Sequence, residues 1–303
     1  MRLVTFSVDG SLRFGSLVGE SVVDLADTTS AAVFRAELER AGADTVPRGM
    51  RELLVGGAPA MAAARAMSER AGESGVRTWQ LSDVVLKAPL QHPRAIIGVG
   101  RNYRDHAAEA TIELPELPRL FPKWPSTVVG PGDPIVIPPL TSQLDWEVEL
   151  AVVIGTPARD VALDQALEYV AGYTIVNDVS ARDIQMSRPE QLALGKNFRS
   201  FTPMGSWIVT RDEVPDPADV RLRSWVNDQL MQDGHTKDLI FSVAHLVSFL
   251  SSVLDLSPGD VIATGTPAGV GAFRTPPIWL KAGDVVRMEL TGLCVLSNPV
   301  LDA

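Results

Sequence analysis

Apolar and polar positions alternate through Arg2-Leu3-Val4-Thr5-Phe6-Ser7-Val8, the pattern of a half-buried strand. Two polar breaks follow, Val8-Asp9-Gly10-Ser11 and Val18-Gly19-Glu20-Ser21. Both have the turn chemistry of tight hairpins, so residues 1–27 are predicted as a small β-unit. Phe34–Arg40 and Ala58–Ala71 read as helices, the second through its alanine-rich run Ala62–Met67. Prolines and a shift in composition at Lys87–Pro93 mark a boundary, after which Ile96–Gly100 is a buried strand. The chain therefore divides into a small N-terminal α/β domain, residues 1–88, and a main domain, residues 89–303.

The main domain is a succession of short apolar strands: Thr127–Gly130, Ile135–Ile137, Trp146–Ile154, Tyr169–Val176, Trp207–Val209, Leu222–Asn227, Val261–Thr264 and Val285–Leu290. Helical spacing is clear only from Ser242 to Leu256, where Val243, Leu246, Val247, Leu250, Val253 and Leu254 share a face. Strand–helix alternation is missing, which argues for a β-rich α+β fold and against a doubly wound sheet.

Composition narrows the function classes. Hydrophobic residues make up 46% and charged residues 21%, with no apolar run long enough to span a bilayer. The start of the chain lacks the charged, apolar and cleavage regions of a signal peptide, so a cytoplasmic setting is expected. A formal charge of −10 repels nucleic acid and anionic membranes, and neither is expected as a partner. A small anionic substrate remains compatible with local cations, because Arg101, Arg104, Lys123, Arg182, Lys196 and Arg199 all lie in the main domain. Cys294 is the single cysteine, which excludes an intramolecular disulfide and a cysteine zinc cage.

The chemistry concentrates in a few strings. In Leu144-Asp145-Trp146-Glu147-Val148-Glu149-Leu150, strand alternation places Asp145, Glu147 and Glu149 on one face. Asp178 closes the strand that ends Ile175-Val176-Asn177. Glu147, Glu149 and Asp178 together offer an all-oxygen site for a divalent cation, which suits Mg²⁺ or Mn²⁺, admits Ca²⁺ and disfavours Zn²⁺. Taken alone, the Glu-x-Glu spacing also fits a solvated strand face. The string from Gly98 to Glu109 carries Arg101 and Tyr103 as substrate-side groups, followed by His106 and Glu109. On a helix the last two face the same way, so the carboxylate can orient the imidazole for water activation, although a surface helix with a chance pair reads the same. Lys196, set in Gly195-Lys196-Asn197-Phe198, can face a developing enolate, or be an ordinary exposed lysine. Thr264-Gly265-Thr266-Pro267-Ala268-Gly269-Val270-Gly271 presents hydroxyls and close backbone amides suited to a carboxylate, and lacks the Lys-Ser/Thr ending of a phosphate loop.

In order along residues 94–299, the motifs Gly-x-Asn-Tyr-x-x-His-x-x-Glu, Lys-x-Pro-Ser, Gly-Pro-Gly-Asp-Pro-Ile, Asp-x-Glu-x-Glu-Leu, Asn-Asp-x-Ser-x-Arg-Asp-x-Gln, Gly-Lys and Thr-Gly-Thr-Pro-x-Gly-Val-Gly resemble the fumarylacetoacetate hydrolase family, in its longer bacterial form with a small N-terminal domain. The resemblance implies a mixed β-sandwich roll for the catalytic domain, a homodimer, and a divalent ion held by Glu147, Glu149 and Asp178. It also implies that His106 and Glu109 activate water, that Lys196 is the electrophilic lysine, and that Arg182, Gln185 and Thr266 stand on the substrate side or behind the ligands. The segment holding His106 and Glu109, which continues into Thr111–Pro118, is expected to act as a lid. At the C-terminal end Cys294 departs from the family's usual pattern, where a local change in packing is expected.

The implied reaction is hydrolysis of a carbon–carbon bond in a 2,4-dioxo acid, with an enolate leaving group stabilised by metal and lysine. Two rivals remain: oxaloacetate-type decarboxylation or decarboxylation and isomerisation of a 2-oxo diacid at the same site, and a catalytically silent metal-binding scaffold.

Overall fold

The structure is a computed structural model and describes residues 1–109 and 113–303. Its larger sheet has eleven strands and runs, edge to edge, Thr78–Gln80, Ser21–Asp24, Ser11–Val18, Arg2–Val8, Ile208–Thr210, Val170–Asn177, Val148–Ile154, Val261–Ala263, Ile96–Gly100 and Arg119–Lys123, with Val85–Lys87 added against Arg2–Val8. The sheet is continuous across residue 88, because Arg2 and Leu3 pair with Val209 and Ile208. A second sheet has five strands, in the order Gln229–His235, Arg221–Val226, Val285–Leu290, Cys294–Asp302 and Ile135–Ile137. Neither sheet closes into a barrel. The fold is mixed and β-rich, as the short apolar strands predict.

The first hairpin forms where the Asp-Gly break requires it. Asp9 and Gly10 take φ of 49° and 76°, the pair of left-handed residues that a type I′ turn demands. The first helix, Thr28–Ala41, begins with the Asp27 side chain accepting from the Thr29 amide and ends at Gly42, whose φ is 82°. The spacing predicts a shorter helix from Phe34, because Thr28–Val33 carries little apolar signal. Met50–Val55 forms a further short helix that the periodicity does not reveal.

Val148–Ile154 is buried along its whole length, which explains why every residue but Glu149 is apolar. Val148, Leu150, Val152 and Ile154 pack in a core shared with Leu222, Val286, Met288 and Leu290 of the second sheet. Ala151 and Val153 point the other way, into a core built with Phe34, Leu38, Leu53 and Met67 of the N-terminal helices. Glu149 has the same parity as Ala151 and Val153. The carboxylates thus continue a buried face at the point where the sheet opens on a cleft. Cys294 is buried, with its sulfur against the Gly205 backbone and the carbonyls of Trp207 and Val295. Among the described residues no helix is long and apolar enough to cross a membrane.

Candidate active site

Strand pairing assembles the three acids. Glu149 lies opposite Val176 and Val148 opposite Asn177 in the antiparallel pair, so Asp178, one residue past the strand end, arrives beside Glu147. The Asp178 amide donates to the Glu147 carbonyl at 2.9 Å. The predicted strand from Trp146 is interrupted at this point: the Glu147 amide donates to the Asn177 side chain at 3.0 Å instead of to a strand carbonyl, and regular pairing starts at Val148. Glu147, Glu149 and Asp178 are all buried, and each has a carboxylate oxygen within 4.8 Å of the other two.

Charge around them is nearly, but not fully, balanced. Lys196 Nζ donates to Glu147 Oε2 and to Asp178 Oδ2, both at 2.7 Å. Lys123 Nζ donates to Asp178 Oδ1 at 2.5 Å. Arg182 bridges Asp145 at 2.8 Å and Glu147 at 2.6 Å. Burial opposes ionisation of Glu147, but Lys196 and Arg182 outweigh it and hold the carboxyl well below its ordinary range. Burial likewise opposes the charged form of Lys196, and Asp178 and Glu147 overcome it, so the ammonium is held above the ordinary lysine range. Arg182 is raised for the same reason, by Glu147 and Asp145 against burial.

Glu149 has no cation of its own among the described residues. Its Oε2 accepts from the Gly265 amide at 2.9 Å, and burial together with the neighbouring Asp178 and Glu147 drives its carboxyl well above the ordinary range. Four buried carboxylates, counting Asp145, face three cations, and the excess negative charge falls on Glu149. That imbalance, an all-oxygen donor set, and the position of all three acids on the wall of a cleft of about 150 Å³ fit a hard divalent ion such as Mg²⁺ or Mn²⁺.

His106 lies on the helix Arg104–Glu109 and lines the same cleft. Its Nδ1 is 3.5 Å from Glu109 Oε2, the i,i+3 juxtaposition that the sequence predicts, and its ring packs against Phe273 at 5.6 Å. Glu109 does not line the cleft; its carboxylate accepts from the Gly269 amide at 3.0 Å and is thereby fixed behind the imidazole. Asp105 anchors the helix, accepting from the His106 amide at 2.7 Å and the Ala268 amide at 3.2 Å.

The Gly-rich loop 264–271 brings Thr266 to the cleft wall and turns several of its amides inward. Its amides serve the protein's own carboxylates: Gly265 holds Glu149, Ala268 holds Asp105, Gly269 holds Glu109, and Gly271 holds Asp145 at 2.7 Å. Gly265 has φ of 100°, and a Cβ there would lie 2.9 Å from Asn102 Cβ and 3.0 Å from the Val99 carbonyl, so a side chain has no room.

Of the residues expected on the substrate side, Arg101, Arg182, Gln185 and Thr266 line the cleft. Arg182 also donates to Gln185 Oε1 at 2.9 Å, which aims the amide. Thr266 is committed to the frame, donating to the Val148 carbonyl and accepting from Gln232. Tyr103, Lys123 and Gly265 do not line the cleft. Tyr103 is fully buried, Lys123 lies beneath Asp178 as its charge partner, and Gly265 spends its amide on Glu149. Of the expected lid, Thr111 and Ile112 lie outside the described residues.

Sequence reasoning passes over several residues that hold this frame. Asn102 ties the turn before the helix to the Phe241 backbone and the Thr264 carbonyl. Gln232, on the second sheet, accepts from the Val148 amide at 3.0 Å and donates to Thr266 and the Pro267 carbonyl. Nothing in the sequence separates Gln232 from an exposed strand residue, since its burial comes from packing between sheets.

Comparison with known proteins agrees with this architecture. The family model for the fumarylacetoacetate (FAA) hydrolase C-terminal domain matches residues 95–301. A mitochondrial oxaloacetate tautomerase of Xenopus laevis is 43% identical over 258 residues, covering 85% of this chain and 80% of the relative. A maleylpyruvate hydrolase from a Sphingobium species, solved with manganese(II) and pyruvate, matches over 100% of both chains at 30% identity and TM-score 0.78. The 5-carboxymethyl-2-hydroxymuconate delta-isomerase of Mycobacterium smegmatis also matches over 100% of both chains, at 33% identity and TM-score 0.75.

Proposed function

This chain belongs to the fumarylacetoacetate hydrolase family, and from that premise we propose that it is a divalent-metal-dependent enzyme that hydrolyses a carbon–carbon bond in small 2,4-dioxo acids. One observation carries the reading: a single cleft is lined by an acidic trio with excess negative charge, by Lys196 and Arg182, and by His106 with a carboxylate fixed behind it. Glu147, Glu149 and Asp178 would hold the ion. When bound there, a divalent cation supplies Lewis acidity toward the 2-oxo carboxylate end of the substrate.

The protein's own groups account for the proton transfers. Glu109, pinned by the Gly269 amide, stands 3.5 Å from His106 Nδ1 and orients the imidazole. His106 draws that proton from water, and the hydroxide oxygen bonds to the 4-carbonyl carbon. The bond between carbons 3 and 4 then breaks, and its electron pair passes to the 2-oxo acid fragment as an enolate. His106 then gives the proton it took from water to carbon 3, which completes a carboxylic acid and a simple 2-oxo acid and restores the imidazole. Lys196 and Arg182 face the cleft as permanent cations and offset the negative charge that the enolate develops.

A second reading is favoured by the tautomerase relative, which matches over most of its own length. In that case His106 shuttles a proton between carbon 3 and the enol oxygen of a 2-oxo diacid, and no water attacks. An assay panel of acylpyruvates and oxaloacetate with Mg²⁺ and Mn²⁺, followed by NMR, separates the two. Hydrolysis is supported by a carboxylic acid and a 2-oxo acid appearing in equal amounts. Accelerated keto–enol exchange without cleavage would replace it by tautomerisation, and no turnover of any member would remove both.

A further inference from the structure

At the end of the cleft, strand pairing brings two arginines together. Gly100 lies opposite Arg119 in the antiparallel pair Ile96–Gly100 and Arg119–Lys123, and Arg101 follows immediately. The Arg119 side chain runs across Gly100, with its Cδ 3.8 Å from where a Cβ on that glycine would be. Arg101 leaves the strand in the left-handed region, at φ of 59°. Both side chains line the cleft that holds His106 and the acidic trio. Arg182, further in, is met by two carboxylates, whereas neither Arg101 nor Arg119 forms an ion pair with any described carboxylate. Burial, and then the charge of Arg119, hold Arg101 below the ordinary arginine range.

Arg101 is exposed and Arg119 half-buried on the wall of one cleft, and the mutual repulsion of two guanidinium groups there is relieved by an anion between them. Each offers a planar fork of donors matched to a carboxylate. We infer that Arg101 and Arg119 form a second anion site, which selects substrates with a carboxylate at the end remote from the 2-oxo acid group. The inference rests on the 2-oxo acid reading of the cleft and adds the other end of the molecule: the enzyme prefers 2-oxo dicarboxylates to monocarboxylates. The cleft volume of about 150 Å³ is that of a cavity that takes benzene, which suits a compact diacid.

Titration calorimetry with Mg²⁺ present, comparing 2-oxoglutarate with 2-oxopentanoate, tests this without requiring turnover. The two ligands share chain length and the 2-oxo acid group and differ in the distal carboxylate. The native protein is expected to bind the diacid about tenfold or more tightly. Arg119→Met keeps the aliphatic packing over Gly100, and Arg101→Asn keeps a residue that tolerates the left-handed backbone. Each is expected to erase most of the preference and leave 2-oxopentanoate binding unchanged. Equal binding of both ligands by the native protein, or equal loss of both in the variants, overturns the inference and leaves the 2-oxo acid reading standing. Failure of the native protein to bind either ligand removes that reading, and the inference with it.

Discussion

Lys196 Nζ stands 2.7 Å from Glu147 Oε2 and 2.7 Å from Asp178 Oδ2, so one buried ammonium joins two acids that flank the ends of paired strands. Removing it leaves two buried carboxylates short of a cation. Lys196→Met is expected to destabilise the metal-free protein by about 3–5 kcal/mol, the usual result of breaking one side of a buried ion pair, and to abolish turnover. Chemical denaturation in a chelator measures the first and the substrate panel the second.

Glu149 is the acid left without a cation, which gives its neutral isostere an unusual sign. Glu149→Gln keeps an oxygen for the Gly265 amide and removes the excess charge. The variant is expected to melt higher than the native protein without metal and to lose the stabilisation that Mg²⁺ or Mn²⁺ gives the native protein. Paired thermal melts with and without metal report both changes.

His106 and Glu109 serve proton transfer in the proposed mechanism and take no part in holding the ion. His106→Ala is expected to lower kcat by about 10²–10⁴, with Glu109→Gln intermediate, while the metal-induced rise in melting temperature persists. Loss of that rise in either variant would place these residues in the metal site instead.

Asp183 secures the segment that carries Arg182 and Gln185, accepting from the Thr141 hydroxyl at 2.5 Å, the Ser142 amide at 2.9 Å and the Ile184 amide at 2.9 Å. Burial pushes its carboxyl up, but these bonds prevail and hold it below the ordinary aspartate range. A depressed folded-state value means that the contribution to stability is complete above the unfolded value, about 3.9, and is lost as pH falls through the folded one. Asp183→Asn is therefore expected to be less stable than the native protein at pH 7, with the gap narrowing below about pH 4. Denaturation at a series of pH values measures it.

The sequence made the strands legible where both faces are covered, because Val148–Ile154 and Val261–Ala263 announce themselves by β-branched and apolar residues. Arg119–Lys123 and Gln229–His235 escaped because their pairing partners, rather than their own composition, make them strands. At the site, the short-range arrangement of His106 and Glu109 follows from helical spacing and Glu149 from its strand, whereas Glu147 lies just before that strand and its amide is held by the Asn177 side chain. The jobs of Tyr103, Lys123 and Gly265 did not follow, because a motif places a residue near a site without saying which way its side chain or amide is turned. Lys123 joins Asp178 only through the packing of a distant edge strand, and the loop amides find Asp105, Glu109 and Asp145 only once two sheets and a helix have met.

Anomalous scattering from crystals grown with Mn²⁺ tests the central claim most directly. The expected result is one manganese peak per chain, bound by carboxylate oxygens of Glu147, Glu149 and Asp178 at about 2.2 Å. A fully ordered site with no peak among these three acids, or manganese bound only elsewhere on the chain, would contradict it.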